Sequence, residues 1–223
     1  MLVATDVHDR VLRGVELRVG AGEIVGLSGL DGQGQQELLR YLWRHRRSTR
    51  HVRVRGGVAF VTGDRQTAGV FPLWNVGQNI GVGVMRETAR YGVVDRARER
   101  ALIDDWMRRL AVRGTAASRI GDLSGGNQQK ALIARALAAK ARVVLLDDPF
   151  RGVDIETKQR VYRLMREEAA KGRSFLWFTT ENAELVECDR VYVMASGRMA
   201  AELAADDISE EAVISASFER VES

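Results

Sequence analysis

The chain has 223 residues, 45% of them apolar, enough for one substantial core or for a core domain that carries a smaller subdomain. Lys and Arg number 34 against 30 Asp and Glu, and despite a pI of about 9.6 the basic residues are spread along the chain. The nearest block, Arg44 to Arg50, is short and reads as a solvated face rather than a nucleic-acid contact. Cys188 is the only cysteine, which excludes an internal disulfide and a cysteine-based metal cluster and leaves a small buried or half-buried thiol. No window approaches the roughly eighteen uninterrupted apolar residues of a membrane span, and Met1 leads into mixed polar sequence, so a soluble cytoplasmic chain is expected.

In chain order, Val11 to Val19 alternates apolar and polar side chains, the pattern of a half-exposed strand that ends at the turn Gly20-Ala21-Gly22. Glu23 to Ser28 reads as a buried strand. The glycine-rich stretch Gly29 to Gln36 follows, then Leu38, Leu39, Leu42 and Trp43 at helical spacing. Gly57 to Thr62 predicts another strand, followed by a loop with Gly63, Gly69 and Pro72 that continues to Asn79. From about Asp95 to Leu110 the apolar positions suit a helix with one buried face, and a second helix is expected just after Gly126. Val143-Val144-Leu145-Leu146 is a continuous apolar run of the length of a central parallel strand. Helix Ile155 to Lys171 and strands Ser174 to Thr179 and Arg190 to Met194 complete an alternating α/β pattern. Ser196-Gly197 makes a hairpin turn into Arg198 to Leu203, and Ile208 to Val221 has helical spacing with an acidic start.

Strand, glycine-rich loop, helix is the order a phosphate site needs. In the pattern GxxxxGK[ST], backbone N–H groups point at phosphate oxygens, Lys meets the β/γ charge and the hydroxyl holds Mg2+. Here the glycines are Gly29, Gly32 and Gly34, but Gln35 stands at the lysine position and Gln36 at the hydroxyl position. No nearby lysine substitutes, because the first in the chain is Lys130. The second motif is LSGGNQQK, Leu123 to Lys130, in which Ser124, Gly125 and Gly126 precede a helix whose N-terminus presents free N–H groups and a positive dipole end, with Gln128 in its first turn. Further on, the buried strand ends in Asp147-Asp148-Pro149. This pair places one carboxylate for a Mg2+ water and the next where it can act on an attacking water, although turn chemistry alone also produces such pairs.

These motifs, in this order, resemble the ABC ATPase superfamily. Within it, the chain is similar to the second of two fused nucleotide-binding domains in bacterial monosaccharide importers of the ribose, galactose and xylose type. The resemblance runs from the strand around Val11 to the tail SEEAVISAS, with RGVD at Arg151 to Asp154 matching the D-loop and VTGDR at Val61 to Arg65 standing where such domains show VPEDR. It implies an α/β fold: a P-loop NTPase-like domain with a mainly parallel core sheet, an N-terminal antiparallel β subdomain and a helical signature subdomain at about 80–140, all within one ABC domain over residues 1–223. The implied cofactors are ATP and Mg2+, with Asp147 toward the metal and Gly29, Gly32, Gly34, Gln35, Gln36, Ser124, Gly125, Gly126, Gln128 and Asp154 toward nucleotide.

Departures from the active pattern accumulate. Gly63 replaces the Q-loop glutamine, Asp148 shortens the catalytic glutamate by a methylene, and Thr180 replaces the switch histidine. The resemblance also implies head-to-tail pairing, so an intact signature beside a damaged loop would complete the ATP site of a second, loop-intact domain. Its partners would be that domain, membrane permease subunits and, indirectly, a sugar-binding protein, with no nucleic acid. Localisation is expected at the inner face of the plasma membrane. A nucleoside importer and a regulatory or nucleic-acid-associated pseudo-ATPase are the alternatives. The loop Thr67 to Asn79, with Phe71, Pro72 and Trp74, lies where such domains meet the permease, although packing within the subdomain would also account for its apolar residues. Trp43, Trp74, Trp106 and Trp177 fall on apolar patterns and are expected in the core. His8, His45 and His51 show no metal spacing and are assigned no role.

Overall fold

In chain order the elements are β1 Leu2–His8, β2 Arg13–Val19, β3 Ile24–Ser28, α1 Gln35–Arg44, β4 Val52–Val54, β5 Gly57–Val61, α2 Val76–Thr88, β6 Ala89–Arg90, β7 Val93–Val94 and α3 Arg96–Arg109. They continue with α4 Gly125–Ala138, β8 Ala141–Asp147, α5 Ile155–Ala170, β9 Ser174–Phe178, β10 Arg190–Ala195, β11 Arg198–Ala204 and α6 Glu210–Phe218. This is a computed structural model that describes residues 1–218. The part of the expected tail helix beyond Phe218, up to Val221, lies outside the described residues.

The chain divides into two compact units. The first comprises Met1–Phe60, Arg142–Asp148 and the chain from Leu164 onward; the second comprises Val61–Ala141 and Pro149–Arg163. In the first unit, a six-stranded sheet has the order β11-β10-β3-β9-β8-β5. The pairs β10–β3, β3–β9 and β9–β8 are parallel, and β11 returns antiparallel to β10 through the Ser196-Gly197 turn. Parallel strands of this kind are buried on both faces, which is why β3 and β9 carry no exposed residue. A smaller antiparallel sheet, β2-β1-β4, accounts for the N-terminal β region. Leu38, Leu39 and Leu42 give α1 one fully buried stripe, packed with Leu27, Val143, Leu145 and Met194. Each such leucine stabilises the fold by about 1.5–3 kcal/mol relative to an exposed one.

β1 was not legible in the sequence because Asp6 adopts φ 52 and the β1–β2 register shifts between Ala4 and Val7. That bulge breaks the alternation a strand shows.

The second unit is mainly helical: α2 packs on α3 and α4, and α3 on α4. The expected loop through Asn79 ends early, because Asn75 and Gln78 form a reciprocal capping box that starts α2 at Val76. Three glycines within α2 mask it as a helix. One is needed: a Cβ on Gly83 would stand 2.1 Å from the Arg135 carbonyl oxygen, so the backbones of α2 and α4 meet there. α4 begins at Gly125, a residue or two earlier than its sequence suggests. Trp74 corrects the core expectation: it is 40% exposed, whereas Trp106 and Trp177 are buried and Trp43 is half-buried.

Candidate functional site

In the first unit, β3, β8 and β9 run parallel and release their chains at one edge of the sheet, where α/β folds place ligands. β3 leads into Gly29, which has φ 135; a Cβ there would stand 2.2 Å from the Met194 carbonyl oxygen, so only glycine fits. Gly32 and Gly34 also have positive φ, 74 and 109, and Gly34 caps α1 without any side-chain hydrogen bond to the first-turn N–H groups. Those N–H groups and the positive end of α1 are what a phosphate needs. The loop is pinned from outside, since Gly197 N donates to Gln33 O at 3.0 Å and Ser196 N to Gln33 Oε1 at 2.5 Å.

Gln35 and Gln36, expected at the lysine and hydroxyl positions, are both engaged. Gln35, 2% exposed, donates from Nε2 to the Leu30 carbonyl oxygen at 3.0 Å. Gln36 donates from Nε2 to Asp147 Oδ1 at 3.2 Å and accepts from Arg40 Nη2 at 3.4 Å. The fold brings Asp147 to the loop, as expected of a carboxylate at the end of β8, and an amide lies against it.

Asp148 follows in the left-handed region at φ 42, its N–H donating to Phe178 O at 2.9 Å. Thr180 Oγ1 donates to Asp148 Oδ2 at 3.1 Å, so the residues expected at the base and switch positions are in contact. Behind them lies a polar layer that sequence reasoning missed. Thr179 Oγ1 donates to Glu184 Oε2 at 2.5 Å and accepts from Glu181 N at 3.1 Å, while Ser28 Oγ donates to Asn182 Oδ1 at 3.3 Å. Thr179, Glu181 and Asn182 belong to the stretch FTTEN, Phe178 to Asn182, of which only Thr180 was given a role. A threonine hydroxyl cannot take up a proton at neutral pH as imidazole does, so the Asp148–Thr180 pair lacks the switch chemistry of a histidine.

The second unit holds the other predicted residues. Ser124 caps α4 and is exposed; its Oγ accepts from Asn127 Nδ2 at 2.9 Å, and Asn127 Oδ1 in turn accepts from Arg113 N at 2.8 Å. Gln128 turns inward, donating from Nε2 to Ile120 O at 3.2 Å and Leu123 O at 3.0 Å, so it shapes the entry to α4. Arg65 packs over Gly125, with Nη2 2.8 Å from where a Cβ would stand, while a Cβ on Gly126 would meet nothing within 4 Å. Asp154 caps α5, accepting from Thr157 N at 2.9 Å and Thr157 Oγ1 at 2.8 Å. The backbone bond from Thr157, then the hydroxyl bond, hold the Asp154 carboxyl below the usual range. In the same unit, Phe71 (41% exposed), Leu73 (90%) and Trp74 form an exposed apolar cluster, with Phe71 and Trp74 rings 4.6 Å apart.

The histidines make local contacts of their own: His8 bonds Asp6, and His45 and His51 bond backbone oxygens of Tyr41 and Thr5. Cys188 is 3% exposed, and burial raises its thiol pKa well above the ordinary value. No helix among the described residues is long and apolar enough to cross a membrane.

Comparison with known proteins agrees with this arrangement. The ribose import ATP-binding protein RbsA 1 of Rhizobium etli is 38% identical over 93% of this chain, and RbsA of Yersinia pestis is 39% identical over 91%. The chain spans less than half the length of these relatives, 44% and 43% respectively. Among solved structures, a dimeric ATP-binding cassette in a post-hydrolysis state bound to ADP and Pi superposes with a TM-score of 0.80 at 20% identity, covering 92% of this chain and 99% of that one. A bacterial Atm1-family ABC exporter with ATP bound gives 0.75 at 22% identity over 92% of this chain and 39% of that one. The mostly parallel sheet, antiparallel sheet and helices thus have their counterparts in ABC cassettes, and, with the ABC transporter family model matching residues 12–151, the chain belongs to the ABC transporter family.

Proposed function

We propose that this chain is the signature-bearing, loop-degenerate ATP-binding half of a bacterial importer for a ribose-type monosaccharide. One observation carries the reading: Ser124 and Gly126 stand open at the start of α4, while the loop of the same chain has amides where lysine and hydroxyl belong. In a head-to-tail pair, Ser124, Gly125 and Gly126 face the γ-phosphate of an ATP held by the partner's intact loop, and Mg2+ belongs to that loop. The partner supplies lysine, hydroxyl and base; this chain supplies backbone N–H groups, the Ser124 hydroxyl and the α4 dipole. Arg113 N, through Asn127, keeps Ser124 in place.

This chain's own loop holds nucleotide through α1 backbone N–H groups alone. Losing a charge-assisted lysine contact, worth about 1.5–3 kcal/mol, lowers its affinity about tenfold to a hundredfold. The exposed Phe71, Leu73 and Trp74 suit docking onto membrane permease subunits at the inner face of the plasma membrane. The sugar is selected by the permease and an external binding protein, and no nucleic acid is required. The names of the ribose importers support the sugar reading over a nucleoside importer.

The test mixes the purified chain with a cassette that has an intact phosphate loop, recovered with it from detergent-solubilised membranes. Turnover of Mg-ATP is expected from the mixture and not from the chain alone. Gly126→Ala, whose methyl enters space open in this chain, should leave melting unchanged and cut the mixture's turnover at least about tenfold, roughly 1.4 kcal/mol of barrier. Turnover by the isolated chain that survives Gln35→Ala would refute the division of labour.

A further inference from the structure

Mg2+ in a phosphate loop is bracketed by the loop hydroxyl and the carboxylate at the end of the neighbouring strand. It requires near-octahedral oxygen ligands at about 2.0–2.1 Å. In this chain the hydroxyl position is Gln36, and its amide nitrogen, not an oxygen, is turned to Asp147 Oδ1 at 3.2 Å. The orientation is set from the other side: Arg40 Nη2 donates to Gln36 Oε1 at 3.4 Å, which only the oxygen end of the amide can accept. The N–H bonds therefore point at the carboxylate, where their positive ends oppose a cation. Gln36 with Arg40 also makes an i, i+4 pair on α1, so the helix itself supports this rotamer. The residues present do not fit the metal.

Nucleotide chemistry at the loop does not share this obstacle. Gln35 is withdrawn to Leu30 O, and the first turn of α1 has no side-chain cap competing for its N–H groups. Resting on the proposal that nucleotide occupies this loop, we infer that it binds without a divalent cation: the Gln36 amide takes the place of Mg2+ against Asp147, making this a metal-independent nucleotide site. The ligand class is a nucleoside polyphosphate in its metal-free form. Asp147 is then not a metal ligand, and its negative charge opposes the phosphates instead of helping to hold them.

The experiment titrates a fluorescent N-methylanthraniloyl ATP into the purified chain in MgCl2 and, separately, in excess EDTA. Equal affinity in the two media is the expected result. Gln36→Thr restores a hydroxyl beside Asp147 and should make binding tighter in Mg2+ than in EDTA by about tenfold or more. Asp147→Asn keeps an acceptor for the amide and removes the charge, so binding in both media should be as tight as in the unaltered chain or tighter. An unaltered chain that binds about tenfold more tightly with Mg2+ overturns the inference, as does loss of binding in Asp147→Asn at an unchanged melting temperature. Absence of binding in both media also overturns it, and is distinguishable from failure of the signature reading, which is measured on turnover by the mixed cassettes. Should Gln36→Thr not fold, the comparison of media with the unaltered chain and Asp147→Asn still decides the question.

Discussion

Replacing Gly197 by alanine tests how the phosphate loop is held. Gly197 has φ 77, and a Cβ there would stand 2.0 Å from the Val11 carbonyl oxygen, a backbone atom that cannot swing away. Left-handed geometry costs alanine about 1–2 kcal/mol before any clash. Relieving the clash shifts Gly197, whose backbone makes two hydrogen bonds, Arg13 N to Gly197 O at 2.9 Å and Gly197 N to Gln33 O at 3.0 Å, each contributing about 0.5–1.5 kcal/mol. The expected destabilisation is about 2–5 kcal/mol, near the upper end for a single substitution. In urea, at a slope of about 2 kcal/mol/M, the midpoint should fall by roughly 1–2.5 M with the slope unchanged. Because Gln33 lies in the loop, nucleotide affinity should fall under conditions where the variant is still folded. Gly121→Ala, where a Cβ meets nothing within 4 Å, serves as the control. A midpoint for Gly197→Ala within error of that control would refute the reasoning.

Two further outcomes follow from the same geometry. Cys188, 3% exposed with its thiol pKa raised by burial, should react with a thiol reagent at pH 8 only as fast as the chain opens, so labelling should rise with urea in step with unfolding; immediate labelling of the native chain would contradict its burial. The Asp154 cap on α5 has its pKa lowered by Thr157, so its contribution is present above the unfolded carboxylate pKa and lost as pH falls through the folded one. The stability gap between the unaltered chain and Asp154→Ala, read from urea midpoints, should close on acidification and not on alkalisation.

What the sequence revealed was contiguous. LSGGNQQK, the glycines of the loop and the apolar runs of β3, β8 and β9 are each complete within a few residues, so the mainly parallel sheet and the two motif groups were visible as patterns. What it concealed depended on distant contacts or on exceptions to periodicity. β1 is interrupted by the left-handed Asp6, and α2 carries glycines because the α4 backbone comes close at Gly83. The pairing of Gln36 with Asp147 joins positions 111 apart, and only folding brings the two together. Trp74 is apolar by pattern yet 40% exposed, because the capping box at Asn75 starts a helix just beyond it.

The Arg135 side chain makes the apolar cluster something other than a pliable pad. Its guanidinium, desolvated enough for its pKa to fall to about 10, donates to Asn79 O at 2.7 Å, Asn79 Oδ1 at 2.6 Å and Gly69 O at 2.8 Å, and lies 5.0 Å from the Phe71 ring centroid. Arg135 belongs to α4, the helix that Ser124 caps about 16 Å away along its axis. The apolar cluster is therefore tied, through Phe71 and the Arg135 guanidinium, to the helix that Ser124 caps, and is not held by its own loop alone.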